Sequence, residues 1–170
     1  KHTNTKMPLT PTLELKDDKR WVVEYQKGAQ DLVIENPQTK HAVALYKNDN
    51  VVLTVKGKVA SITIDNCTNT SVIFDSAISS VEIVNSKKIQ VQVNNNVPIM
   101  SVDKSNGVSL FLSTESLDTS VVSSLSQEIN IYVPKNDETL ELAVPSQFTT
   151  TFDKNTGKLV TVEGNGQHFE

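Results

Sequence analysis

The chain has 170 residues and a formal net charge of −4, and Arg20 is the single arginine among 16 basic residues, so no nucleic-acid partner is expected. One cysteine, Cys67, rules out an internal disulfide and fits a reducing compartment; no apolar run approaches the length that would insert in a membrane. What remains is one soluble domain, expected to be cytoplasmic, with 32 Val and Ile against 6 Ala, a balance that favours strands.

Residues 1–19 are polar, with Pro8 and Pro11 holding the backbone extended and Leu13 and Leu15 as the only apolar alternation. They read as an extended N-terminal segment, and because the chain starts at Lys1 rather than Met, further sequence upstream is expected. Trp21, Val22, Val23 and Tyr25 form a short strand, which should cap the first coil of the repeat that begins near Leu32.

From Leu32 to Val133 apolar residues return every nineteen positions: Ile34, Leu53, Val72, Val91, Leu110 and Ile129. A second column, two residues on, runs Val55, Phe74, Val93, Leu112 and Ile131, with Asn36 as its one polar member. The residues between, Thr54, Ile73, Gln92, Phe111 and Asn130, should face outward, because side chains on a strand alternate between faces. A second wall keeps the beat with Val43, Ile62, Val81 and Met100 beside Leu45, Ile64, Ile83 and Val102; a shorter third column is Val59, Ile78 and Val97. A fixed repeat of this length, built from short strands each burying one side, predicts an all-β parallel β-helix of three walls and about six coils, spanning residues 20–146. Asn66 with Asn85, and Asp75 with Asn94, should stack at the corners. After Met100 the second wall slips by two, so that Val121 and Leu140 take up its column, and Ser113–Leu117 should bulge as a loop.

Pro145 breaks the ladder, and Phe148–Phe152 and Leu159–Glu163 then alternate around Lys154-Asn155-Thr156-Gly157, a hairpin. A lone hairpin is marginal, so residues 147–170 are expected to pair with the same hairpin of a second copy through Phe148, Thr150, Phe152, Leu159, Val160 and Val162.

Catalytic chemistry has little to stand on. His2, His41 and His168 are scattered, with His41 read as lying on a strand, and no Cys/His cluster or glycine-rich phosphate loop is present. No metal or cofactor is expected. Asp65, Asp75 and Asp103 near coil corners leave a carbohydrate-active β-helix enzyme as an alternative, and a dimeric scaffold is another.

Several stretches in order resemble the C-terminal domain of cyclase-associated proteins: Gln30-Asp31-Leu32-Val33-Ile34-Glu35-Asn36, Val55-Lys56-Gly57-Lys58-Val59, Ser61 to Cys67, Ser79 to Ile83, Val97-Pro98, Val102-Asp103-Lys104, Leu117-Asp118, Val144-Pro145 and Gln147-Phe148. The resemblance implies a right-handed β-helix that forms a homodimer by exchanging C-terminal hairpins. It also implies binding of G-actin, preferably the ADP form, faster exchange of its nucleotide for ATP, a functional link to cofilin, and a place in the cytoskeleton rather than an enzymatic activity. The outward column Thr54, Ile73, Gln92 and Phe111, with Lys56 and Lys58, is the candidate contact surface, because Ile73 and Phe111 are apolar where solvent is expected; Ser80 and Glu82 on the second wall are further candidates.

Overall fold

A computed structural model describes residues 9–164, which leaves His2, Pro8 and His168 outside the described part. Its strands are β1 (Thr12–Lys16), β2 (Arg20–Glu24), β3 (Leu32–Glu35), β4 (Ala42–Tyr46), β5 (Asp49–Asp65), β6 (Thr68–Val84), β7 (Lys87–Asn96), β8 (Ile99–Asp103), β9 (Asn106–Phe111), β10 (Ser120–Ser124), β11 (Gln127–Lys135), β12 (Glu138–Ala143), β13 (Phe148–Asp153) and β14 (Lys158–Glu163). A short 3-10 turn, Thr114–Ser116, is the one helical element among the described residues.

The strands wind into a parallel β-solenoid of six rungs. The first wall stacks β3, the first halves of β5 and β6, then β7, β9 and β11; the second stacks β2, β4, the second halves of β5 and β6, then β8 and β10. Each coil leaves its apolar side chains uncovered above and below, and the neighbouring coil covers them about 4.8 Å away. Leu53, Val72, Val91 and Leu110 do lie one above another, as do Val43, Ile62, Val81, Met100 and Val121. The largest fully buried side chain is Phe74.

The nineteen-residue beat holds in the middle and fails at both ends. Leu32, not Ile34, pairs with Leu53, and Ile34 pairs with Val55, so Asn36 is not a column member but a corner residue with φ 51°. At the other end Leu110 pairs with Ile131, and Ile129 lies under Val108. Both end coils are two residues longer, the last because Ser113–Leu117 intervenes. Leu140 does not continue the second wall: it sits in β12, antiparallel to β11 opposite Val133. In the third column Val59 pairs with Ala77, which is buried, while Ile78 is 50% exposed. Register shifts on either side of Val59 move the inward position back by one residue, and on a strand such a shift exchanges faces.

Between second and first walls the chain turns twice through left-handed backbone. Lys47, Asn66, Asn85, Lys104 and Leu125 form one stack of positive φ, and Asn50, Asn69, Lys88, Gly107 and Glu128 another. The side chains turned inward between them are polar: Asn48, Ser86 and Ser105 are buried, with Cys67 in the same column. Asn48 Oδ1 accepts from Gln26 N, Ser86 Oγ from Cys67 N, Ser105 Oγ from Ser86 N and Ser126 Oγ from Ser105 N, at 3.0–3.1 Å. This ladder satisfies amides at corners where sheet pairing is interrupted. Asp75 and Asn94 stack as expected, Asn94 Nδ2 donating to Asp75 Oδ1 at 3.2 Å.

The strand containing Trp21 is the first rung of the second wall rather than a cap, since β2 runs parallel to β4. Capping falls to β1, antiparallel on β2 with Leu13 opposite Val23 and Leu15 opposite Trp21. At the far end β12 caps the first wall in the same way. Among the described residues β3 and β10 each pair on one side only, and β13 and β14 form a separate two-stranded sheet.

Candidate functional site

The walls place the candidate side chains in three groups. Across the outside of the first wall the paired positions are Val33, Thr54, Ile73, Gln92, Phe111, Tyr132 and Glu141, one per strand from β3 to β12. Thr54, Ile73, Gln92 and Phe111 therefore share one line, as the alternation predicts. Tyr132 extends it: its ring stacks on Phe111 with centroids 4.3 Å apart and planes 10° from parallel, and its hydroxyl donates to Glu141 Oε1 at 3.1 Å. Nineteen-residue spacing assigns Asn130 to this place. The slip visible in the second wall, applied to the first, yields Tyr132. Beside the stack lies a recess of about 260 Å3, walled by Gln92, Asn94, Phe111, Ser113, Tyr132 and Thr139.

Lys56 stands on the same wall, one position outside this line, with Nζ 3.5 Å from Glu35 Oε1. Lys58 lies round the corner at Gly57. There φ is 144°, and a Cβ would come within 2.9 Å of the Pro37 ring, so the corner requires glycine. Lys58 instead borders a cleft of about 300 Å3 with Ile78, Val97, Glu115 and Asp118. Ser80 and Glu82 are on the second wall. They do not join the Thr54–Phe111 line, so the eight candidates are spread over two walls and a corner.

The hairpin residues divide as well. Phe148, Thr150, Phe152 and Leu159 lie on one face; Val160 and Val162 lie on the other. Phe148, Phe152 and Leu159 are 59%, 62% and 71% exposed, unusual for large apolar side chains on a two-stranded sheet. Asp153 starts the turn: its Oδ1 accepts from Asn155 N at 2.8 Å, which holds its carboxyl below the usual carboxylate range. A groove of about 800 Å3 runs between β10 and the start of the hairpin, bordered by Lys87, Lys104, Ser124, Gln127, Pro145 and Phe148.

The residues considered for chemistry do not converge. Asp65 and Asp103 are separated by the rung of Val84, and Asp103 Oδ1 accepts from Ser124. No group of three metal-ligating side chains occurs among the described residues. Burial pushes the Cys67 thiol up, away from the thiolate form a nucleophile needs. His41 precedes β4 instead of lying on a strand, 3% exposed, and is bonded to Trp21, Gln38 and Asp18. No helix among the described residues is long and apolar enough to cross a membrane.

Fold and surface together define the class: a parallel β-solenoid that presents flat walls, one of them carrying an aromatic line toward solvent. Comparison with known proteins narrows the class to a family. The family model described as "Adenylate cyclase associated (CAP) C terminal" matches residues 9–164. Adenylyl cyclase-associated protein 2 of Mus musculus is 43% identical over 159 residues, covering 94% of this chain and 33% of the relative. The adenylyl cyclase-associated protein of Dictyostelium discoideum is 37% identical over 166 residues, covering 96% and 34%. The crystal structure of cyclase-associated protein from Cryptosporidium parvum superposes with a TM-score of 0.87 at 34% identity, covering 92% of this chain and 97% of that one. The chain belongs to the cyclase-associated protein family and corresponds to its C-terminal domain. It spans about a third of the length of the curated relatives it matches.

Proposed function

We propose that this domain binds the actin monomer through the outer face of its first wall and speeds replacement of bound ADP by ATP, without covalent chemistry. The observation that carries the reading is the line Ile73, Gln92, Phe111, Tyr132, in which one apolar and two aromatic side chains stand on the outer side of a sheet whose core lies behind it. Rigid aromatics on a flat, ordered surface are the side chains that dominate protein interfaces. Family membership supplies the partner class, as the sequence resemblance implied.

A binder can speed exchange only by favouring an actin conformation that holds nucleotide less tightly, so its affinities for the two conformations must differ. Preference for ADP-actin, cooperation with cofilin and a cytoplasmic, cytoskeletal setting belong to the same proposal. The exposed hairpin supports a homodimer built by exchange of residues 147–170, because the apolar face of β13–β14 and the edge of β10 that is unpaired among the described residues would each gain a partner. A dimeric scaffold with no effect on nucleotide is the competing reading, favoured by the same hairpin.

Release of a fluorescent ATP analogue from monomeric actin separates the two. Acceleration by the wild-type domain, lost by tenfold or so in Phe111→Ala and Tyr132→Ala, a loss equivalent to about 1.4 kcal/mol, fits the proposal. Binding with no change in release rate leaves only the scaffold.

A further inference from the structure

His41 is a buried imidazole at the N-terminal end of the solenoid, and its hydrogen bonds fix its tautomer. Nδ1 accepts from two donors at once, Trp21 Nε1 at 3.2 Å and the Gln38 backbone N–H at 3.0 Å. Its proton is therefore on Nε2, which faces Asp18 Oδ1 at 3.2 Å in the β1–β2 turn. The three bonds join three segments: β2, the loop after β3, and the turn that leads β1 back over the solenoid end. The charged groups facing the ring are Asp18 and, bonded to the same carboxylate, Lys40 from the loop beside it. β5 contributes backbone only, Ala60 N donating to the His41 carbonyl.

We propose that His41 is a proton-operated clamp: uptake of a proton at Nδ1 turns that nitrogen into a donor facing two donors and releases Trp21 and Gln38, while Nε2 stays tethered to Asp18. The proton comes from solvent and no other bond changes order. Histidine is the side chain suited to such switching between about pH 5 and 8. Release reaches beyond the ring, because the loop that Gln38 anchors carries Pro37, and the Pro37 ring rests against Gly57 between Lys56 and Lys58. Loss of the Gln38 and Trp21 bonds loosens this buttress and frees the indole of β2, while the β1–β2 turn stays tied to the ring through Asp18 and the central rungs, held by their own stacks, stay ordered.

Trp21 is the only tryptophan, so its indole N–H gives one resonance that reports on the bond directly. Followed by NMR from pH 8 to 5, the indole resonance should move with the same midpoint as the His41 ring carbons. Protection of the Gln38 amide should fall about tenfold across that transition, with amides of β6 and β7 unchanged. His41→Gln, checked for folding by circular dichroism, should show no transition at the indole. The clamp is overturned if the His41 ring titrates while the indole stays fixed, if the indole is constant over the whole range, or if the transition survives in His41→Gln.

Discussion

Cys67 occupies a ladder position that serine fills in the next three coils, and its neighbours show why either residue fits. The column needs a small side chain that reaches an amide of the coil before it; Cys67 Sγ lies 3.7 Å from Asn48 Nδ2 and 3.4 Å from the Asp65 carbonyl. Burial keeps the thiol protonated and shielded, so a thiol reagent at neutral pH should label Cys67 only as fast as the solenoid opens, and the rate should rise with urea. Asp18 illustrates an ionic contribution. Its carboxyl is held below its ordinary value by hydrogen bonds from Lys40 and His41. A depressed folded value means the contribution is present above the unfolded value of about 3.9 and disappears as pH falls through the folded value. Thermal melts of wild type and Asp18→Asn should therefore differ at pH 6 and converge near pH 2. That these residues matter was only partly legible: Trp21 at a solenoid end follows from the strand pattern, but the meeting of His41 with Asp18 needs a turn of two left-handed residues, Asp17 and Asp18, which no periodicity announces.

At the level of elements, the corner ladder and the sheet columns act as separate stabilising devices. Ser86 Oγ accepts from Cys67 N at 3.1 Å and donates to the Val84 carbonyl at 2.8 Å. Ser86→Ala leaves a buried amide without a partner, and should cost about 1–3 kcal/mol in urea denaturation. Phe74→Ala, which empties the largest fully buried side chain, should cost about 3–5 kcal/mol by the same measurement. The central rungs were readable because each coil from Leu53 to Leu110 has the same length, so one spacing predicts every pair. The end coils carry extra residues in their connections, and the spacing then assigns Ile34 and Ile129 to the wrong neighbours while keeping both inside. An error of two residues preserves the face and loses the partner, which is why Tyr132 was missed; an error of one, as at Ile78, exchanges inside for outside.

For the whole molecule, the two ends are closed asymmetrically. β1 covers the second wall at one end and β12 the first wall at the other, and among the described residues β3 and β10 each pair on one side only. β3 is four residues long and ends at Glu35, both features that discourage strand addition. β10 lies instead beside the groove that Phe148 borders, and the proposed hairpin exchange would use this edge. Removal of residues 148–170 should give a monomer by sedimentation velocity with an unchanged far-ultraviolet spectrum for the solenoid. A truncated chain that remains dimeric would remove the hairpin from the interface.

By itself the sequence determined the class of fold, the inward columns of the middle coils and the hairpin at the end, because period-two alternation and a constant repeat are local properties that translate directly into faces and stacks. Only the tertiary structure decided which residues stand side by side on the outer walls, which strands cover the ends, and how His41, Trp21 and Asp18 meet. Those outcomes depend on the length of each connection and on the left-handed corners, where a change of one or two residues redirects the next coil while leaving the hydrophobic pattern intact.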